Sequence, residues 1–589
     1  MKNFKTLFII LFTFFLVQCQ SPKGLLPLKN LALPILTDSI RPYHSDAEAL
    51  GNQYAIATQG IYATKAAQKI FSEGGNAIDA AVAASFILAV ERPHSTGIGG
   101  GGFMLFREGK SQKVYAIDFR ERAPLQAKTD MFLNSDGKAN SELSQNGILA
   151  TAIPGLVAGL AEIHQRFGHL SWQKILQPAI ELAKKGFPIY PNLAMALSKK
   201  ETTLAQDSEA SRIFLDKNKK ALPVGYILIQ KDLAKTLTKI ALNGRAGFYQ
   251  GETASLFTQF SKKLNGLVTK KDLQLYQVKW RTPLLGSYKG YAIFSMPPPS
   301  SGGVHVIQFL NMLEDDHLIE KGLLSTKSIH LAASALQSAF TDRARYLGDP
   351  DFVDIPVSLL TSKKYAQLRR SQFKNTSARK ATEVSAGESF SDQTSEEHTE
   401  TTHLSIMDKN GDTISTTQTI NGFMGAGIVI PGTGIILNNE MDDFSALTGA
   451  SNLFGAVGGA ANKISPRKTP LSSMAPTIVV KDGVSMMSLG APGGTRIISC
   501  VSQTLLNYLE FKLPLFESVA LIRYHHQWKP DVLDIDPPGP TGQTLSELLK
   551  MGYDVHINAV PCNVMAVTRE NNIFHAVADP RDIGTSIAL

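Results

Sequence analysis

The sequence predicts an α+β protein, and three observations carry that prediction. Alanine-rich helical periodicity runs from Gly60 onward, hairpin-forming alternation dominates after Thr401, and a polar stretch at 374–400 separates the two regimes. The 589 residues allow about four average domains or one large layered unit. Hydrophobic residues make up 43% of the chain and charged residues 19%, which describes a globular body and excludes a disordered one.

At the N-terminus, Lys2 and Lys5 precede an apolar run from Leu7 to Val17. That run is shorter than the ~20 residues a membrane-spanning helix needs, so it reads as a signal peptide. Leu16-Val17-Gln18-Cys19 is similar to a lipoprotein cleavage box, with Cys19 as the lipid-bearing residue, although Gln18 stands where a small residue is usual. Residues 1–19 are therefore read as a leader and 20–45, rich in Pro and Leu, as a tether. The expected location is outside the cytoplasm, either periplasmic or held to a bacterial membrane by lipid alone.

The elements of the body follow in order. Helical pattern begins at Gly60, breaks at Gly74-Gly75, and resumes after Asn76, a fair N-cap for a helix through Val90. Further helices are expected at Leu156–Phe167, Trp172–Lys185 and Thr326–Tyr346. Residues 374–400 are mostly polar and read as an exposed, mobile segment. It stops abruptly at Thr401. Thr402–Met407 and Thr413–Ile420 then flank Asp408-Lys409-Asn410-Gly411-Asp412, and Pro476–Val480 and Val484–Leu489 flank Lys481-Asp482-Gly483, each with a tight-turn signal. Ile497, Ile498, Val501, Leu505 and Leu509 recur at helical spacing over Thr495–Leu509.

Several motifs are set aside. Gly97–Gly102 contains a G-x-G-x-x-G match, but a helical segment precedes it instead of a strand, so close backbone packing explains it better than a dinucleotide. Adjacent His525 and His526 would point to opposite faces of a strand, and no ligand-spaced partners accompany them, so no metal is expected. No G-x-S-x-G elbow or H-E-x-x-H helix is present. The formal charge is +8, yet acidic residues outnumber basic ones by 16 to 12 after Thr401. The basic excess lies wholly before it, without the Lys/Arg runs interleaved with aromatics that nucleic-acid binding would need; two parts of opposite sign attract one another instead. Cys500 and Cys562 read as two unpaired buried thiols, although export permits a disulfide.

Thr401-Thr402-His403-Leu404-Ser405-Ile406-Met407-Asp408 is the strongest signal. Together with Asp118-Phe119-Arg120-Glu121, Met296–Gly303, Asn438–Phe444, Pro470–Met474 and Ala491–Gly494, in that chain order, it makes residues 45–589 resemble the γ-glutamyltransferase family of N-terminal-nucleophile hydrolases. The resemblance implies a four-layer αββα sandwich, self-cleavage between Glu400 and Thr401, a large part at 46–400 and a small catalytic part at 401–589 cut from one precursor. Thr401 would be the nucleophile, its freed α-amine, with an ordinary pKa of ~7.7–8.0, serving as base. No cofactor is required.

The hairpin sets a helper. A two-residue Asn410-Gly411 turn would pair Thr401 with Ile420. A three-residue loop, with Gly411 left-handed in a bulge, pairs it with Thr419, the residue that the family resemblance makes orient the nucleophile. The resemblance likewise assigns Arg120, Ser472 and Ser473 to the α-carboxylate of the substrate, and Asn421, Glu440 and Asp443 to its α-ammonium. Gly493 and Gly494, just before a helix, would form the oxyanion hole. Residues 448–460 correspond to a lid loop; Phe454 stands where relatives often carry Tyr, which keeps an apolar cover and gives up a hydroxyl hydrogen bond. Expected substrates are glutathione and other γ-glutamyl compounds, with water, amino acids or dipeptides as acceptors. Two rival readings are a cephalosporin or glutaryl acylase on the same scaffold and an inactive lipid-anchored binding protein.

Overall fold

Two seven-stranded antiparallel sheets lie face to face in the computed structural model, which describes residues 46–384 and 400–589. The leader with Cys19, the tether and residues 385–399 lie outside the described residues. In the first sheet the strand order is Thr585–Ala588, Tyr54–Thr58, Thr402–Asp408, Thr413–Thr419, Gly101–Arg107, Val114–Phe119 and Lys279–Arg281. In the second it is Glu48–Gly51, Ile573–Ala578, Met565–Glu570, Val484–Gly490, Thr477–Lys481, Tyr291–Ser295 and Leu284–Tyr288. The strand after Thr401 thus runs between one strand from before the polar stretch and its own hairpin partner.

Small polar side chains let the sheets approach. Ser415 donates to the Leu489 carbonyl (2.8 Å), Ser488 to that of Ile414 (2.7 Å) and Ser405 to that of Met565 (3.0 Å). His403 sits in the same seam between Thr417 and Ser405, and burial pushes its imidazole down to about 3, so it stays neutral.

Helices cover the outer faces and complete the αββα layering. Ala77–Glu91 packs on the two central strands of the first sheet and is buried along its whole length, because the helices Ile61–Ser72 and Trp172–Lys185 close over its other sides. Its start is fixed by a reciprocal cap between Asn76 and Asp79. Gly302–Leu313 and Arg496–Leu509 pack on the second sheet. The helices Leu156–Phe167, Trp172–Lys185 and Thr326–Tyr346 have the bounds read from the sequence.

The glycines at 97–102 serve packing. A Cβ on Gly99 would collide with the Ile436 carbonyl and one on Gly100 with that of Thr419. Both tight hairpins form. Thr402 faces Gln418, Met407 faces Thr413 and the Asp408 amide donates to the Asp412 carbonyl (3.1 Å), which leaves a three-residue loop with Gly411 at φ +90°.

Two expectations are corrected. Cys500 and Cys562 form a disulfide across a Cα–Cα distance of 6.6 Å, because the strand-entering segment at 560–564 lies against the helix that carries Cys500. The polar stretch is not exposed throughout its described part. Ala378, Ala381 and Val384 are buried in the core over the second sheet, and buried Arg379 donates to the Ser334 carbonyl and Ser338 hydroxyl, both at 2.8 Å. The sparse apolar residues in 374–384 are enough to dock it.

Candidate active site

Thr401 stands at the head of a central strand, only 5% exposed, with Glu400 1% exposed beside it. The antiparallel register carries Thr419 opposite Thr401, and the two hydroxyls lie 3.4 Å apart. The Thr401 hydroxyl also donates to the carbonyl oxygen of Glu400, at the peptide bond that the sequence leads one to expect is cut. Thr419 accepts a hydrogen bond from the Asn421 amide at 2.8 Å, which fixes its own hydroxyl. Asn421 holds a left-handed φ of +73°, a conformation that Asn tolerates better than branched residues.

A cavity of about 20 Å³ opens here, lined by Arg120, Arg343, Thr401, Asp443, Ser473 and Gly494, with Thr419, Asn421 and Phe454 also on its wall. Glu440 and Asp443 occupy the two ends of a single 3₁₀ turn, in which side chains three apart share a face. Both therefore reach one guanidinium: Arg120 bridges Asp443 at 2.5 Å and pairs with Glu440. Glu440 does not line the cavity; it lies behind Arg120, and the cation between the two carboxylates is Arg120 rather than an empty place for a ligand. Glu121 stands 3.8 Å from the same guanidinium. Burial, only partly offset by Arg120, pushes the Glu121 carboxyl up to about 7 and holds Glu440 well above the ordinary carboxylate range.

Ser473 faces the cavity and Ser472 does not; the Ser472 hydroxyl accepts from the Met474 amide (3.0 Å) and thereby shapes the loop. Gly494 lines the cavity, and Gly493 flanks it outside the lining. Their carbonyls accept the amides of Arg496 (3.0 Å) and Ile497 (3.3 Å), so both glycines precede the first turn of the helix Arg496–Leu509. Gly494 has φ +55°, and a Cβ there would enter the Phe454 ring.

Three contributors were not singled out from the sequence. Arg343 is buried in the last turn of the helix Thr326–Tyr346, donates to Ser301 (3.1 Å) and Ser473 (3.3 Å), and is pushed down to about 10 by burial, with partial relief from Asp443. In sequence it reads as an ordinary cation at a helix C-terminus. Asn452 donates to Asp443 at 2.8 Å, while its carbonyl oxygen accepts the amides of Phe454 and Ala456, both at 3.0 Å. The Leu453 amide donates to Asp442 at 2.7 Å. The loop thus lies over the site without a tyrosine hydroxyl: Phe454 covers Gly494 and the polar tie comes from Asn452. Glu121 is the third, hidden as the tail of the Arg120 motif.

A buried threonine at the head of a central strand, with its hydroxyl on the preceding carbonyl inside an αββα sandwich, is an arrangement suited to a hydrolase whose nucleophile becomes a chain N-terminus. Residues 63–589 match the family described as Gamma-glutamyltranspeptidase. The chain is 41% identical over 532 residues to the glutathione hydrolase proenzyme of Escherichia coli (strain K12), covering 90% of this chain and 91% of that one. It belongs to the γ-glutamyltranspeptidase family. Solved structures with the same fold include the cephalosporin acylase of Bacillus halodurans (TM-score 0.80, 25% identity, 93% of this chain and 98% of that one). The γ-glutamyltranspeptidase of Helicobacter pylori matches at TM-score 0.54 and 42% identity, over 55% of this chain and 93% of that one.

Proposed function

We propose that this chain is a self-processing γ-glutamyltransferase and glutathione hydrolase, and the contact of the Thr401 hydroxyl with the Glu400 carbonyl carries the reading. In the uncut chain the Thr401 hydroxyl attacks the Glu400 carbonyl carbon, the C–N bond to Thr401 breaks, and the acyl group rests on oxygen as an ester. Water hydrolyses the ester and leaves a free α-amine. That amine, near its ordinary pKa of ~7.7–8.0, then takes the hydroxyl proton in each turnover. Because Thr402–Asp408 is hydrogen-bonded to Tyr54–Thr58 and Thr413–Thr419 to Gly101–Arg107, the cut leaves the two fragments joined.

In the mature enzyme the same hydroxyl attacks the γ-carbonyl of the donor and releases its amine. Arg120, Arg343 and Ser473 receive the α-carboxylate; Asp443 and Asn421 receive the α-ammonium. Glu440 acts through Arg120, and Ser472 through its loop. The amides at Gly493 and Gly494 stabilise the oxyanion. The acyl-enzyme yields to water or to an amino acid or dipeptide. Export, with Cys19 lipidated, is part of the proposal and rests on the leader pattern; an unmodified mature N-terminus downstream of Cys19 would replace lipid anchoring with simple release.

The test is direct. Purified protein on a denaturing gel should give two fragments, the smaller beginning Thr401-Thr402-His403, and Thr401→Ala should remain one chain. Normal cutting of that variant, or a cut elsewhere, removes the reading. The acylase alternative is favoured by the likeness to the B. halodurans enzyme but opposed by Asp443 and Asn421 on the cavity wall, since a glutaryl donor has no ammonium to meet them.

A further inference from the structure

We propose that the end of the sandwich opposite Thr401 carries a second binding site, for a small oxyanion ligand of the phosphate or carboxylate class. An open groove of about 280 Å³ lies there. Three hairpin turns meet around it, at Asn410-Gly411, Asp482-Gly483 and Asn571-Asn572. The strand Thr402–Asp408 separates it from the nucleophile by about 20 Å at ~3.4 Å per residue. It is therefore not an extension of the γ-glutamyl pocket.

Its wall is cationic. Arg107 and Arg569 line it together with Gln112, Ser485, Asn571 and Asn572, and among the described residues no carboxylate does. Arg107 is only 3% exposed, yet its guanidinium meets neutral partners alone: Ser485 Oγ at 3.0 Å, Gln112 Oε1 at 2.5 Å and the Gly483 carbonyl at 2.5 Å. Burial lowers its pKa and no carboxylate offsets the shift. Arg569 likewise donates to Asn572 Oδ1 at 2.9 Å and lies over the Phe574 ring. The acidic groups of the adjoining turn are engaged elsewhere: Asp408 accepts the amides of Asn410 (2.9 Å) and Asp412 (3.0 Å), and Asp412 accepts that of Gly109 (2.8 Å).

A buried guanidinium is costly unless an anion compensates it. Here the compensation is incomplete and an open cavity adjoins the charge. The side-chain amides of Asn571 and Asn572 add N–H donors of the kind that bind oxyanions. An oxyanion seated between Arg107 and Arg569 would complete both charges, whereas a cation or an apolar ligand would meet two like charges or a polar wall.

Isothermal titration of the mature two-chain protein with inorganic phosphate, and separately with malonate, at constant ionic strength, tests the site. Saturable binding of at least one probe is expected, and the tighter probe identifies the ligand class. Arg569→Gln should weaken it at least about tenfold and Arg569→Lys should recover part of the loss. Hydrolysis of γ-glutamyl-p-nitroanilide should be unchanged in both variants, which keeps this test independent of the active site. Absence of saturable binding of both probes up to about 50 mM would overturn the proposal, and so would equal binding by the wild type and Arg569→Gln. Arg107→Gln, where it folds, should abolish binding; retention of full affinity there would also refute the site.

Discussion

Arg120→Ala separates recognition of the carboxylate from recognition of the ammonium. In the structure one guanidinium compensates Asp443 at 2.5 Å and Glu440 next to it, with Glu121 at 3.8 Å. Removal leaves these acids facing one another without a cation and deprives the donor's α-carboxylate of its main partner. Truncating one member of a buried hydrogen-bonded charge pair costs about 2–5 kcal/mol, which corresponds to roughly 30- to 5000-fold in kcat/KM. The assay compares γ-glutamyl-p-nitroanilide with glutaryl-p-nitroanilide, which differ only in the α-amino group. The wild type should prefer the γ-glutamyl donor by at least ~100-fold, because a site built for a polar group rejects the analogue that lacks it. Arg120→Ala should depress both donors, since both keep the carboxylate. Asp443→Ala should depress the γ-glutamyl donor alone. Kinetics are read on the two-chain form so that a processing defect is not counted as a binding defect. If Arg120→Ala leaves both donors unchanged, Arg120 is structural; if the wild type uses both donors equally, the acylase reading replaces the γ-glutamyl one.

Asn452→Ala should raise KM for γ-glutamyl-p-nitroanilide about tenfold or more, as a hydrogen bond to a charged group is worth ~1.5–3 kcal/mol; an unchanged KM would show that the loop closes without it. Cys500→Ser should lower thermal stability in unfolding scans, since closing a loop with a separation of 62 residues contributes up to about 4 kcal/mol on the chain-entropy account; equal midpoints with and without reductant in the wild type would count against the bridge. Glu121 gives a pH signature. Its folded carboxyl is raised to about 7, so its contribution to stability is fully present below its ordinary range near 4.5 and is lost as pH rises through about 7. Melting temperature should therefore fall between pH 5 and 8 in the wild type and fall less in Glu121→Gln; parallel profiles would refute the assignment.

Local signals made the helices legible and long-range pairing hid the sheets. Asn76 marked its helix because its cap partner, Asp79, is three residues away. Tyr54–Thr58 could not be recognised as the neighbour of Thr402–Asp408, because nothing local encodes a contact across more than three hundred residues. The site divides in the same way. Thr401, Arg120 and Asp443 stand in distinctive blocks, whereas Arg343 and Asn452 are ordinary residues brought to the cavity only by the packing that delivers them. The resemblance names Glu440 and Asp443 but does not show that one 3₁₀ turn brings both to Arg120, which lies between them.

The turn at Asn410-Gly411 shows how a local choice reaches the chemistry. Side chains alternate along a strand, so a one-residue slip in the hairpin would turn Thr419 away and place Ile420 opposite Thr401. Gly411 at φ +90° allows the three-residue loop, in which Asp408 gathers the amides of Asn410 and Asp412. A residue other than glycine there resists that φ and weakens the loop that fixes this register. Under the proposed mechanism, the hydroxyl that orients Thr401 is thus set by a glycine about 24 Å away, at ~3.4 Å per residue along the strand.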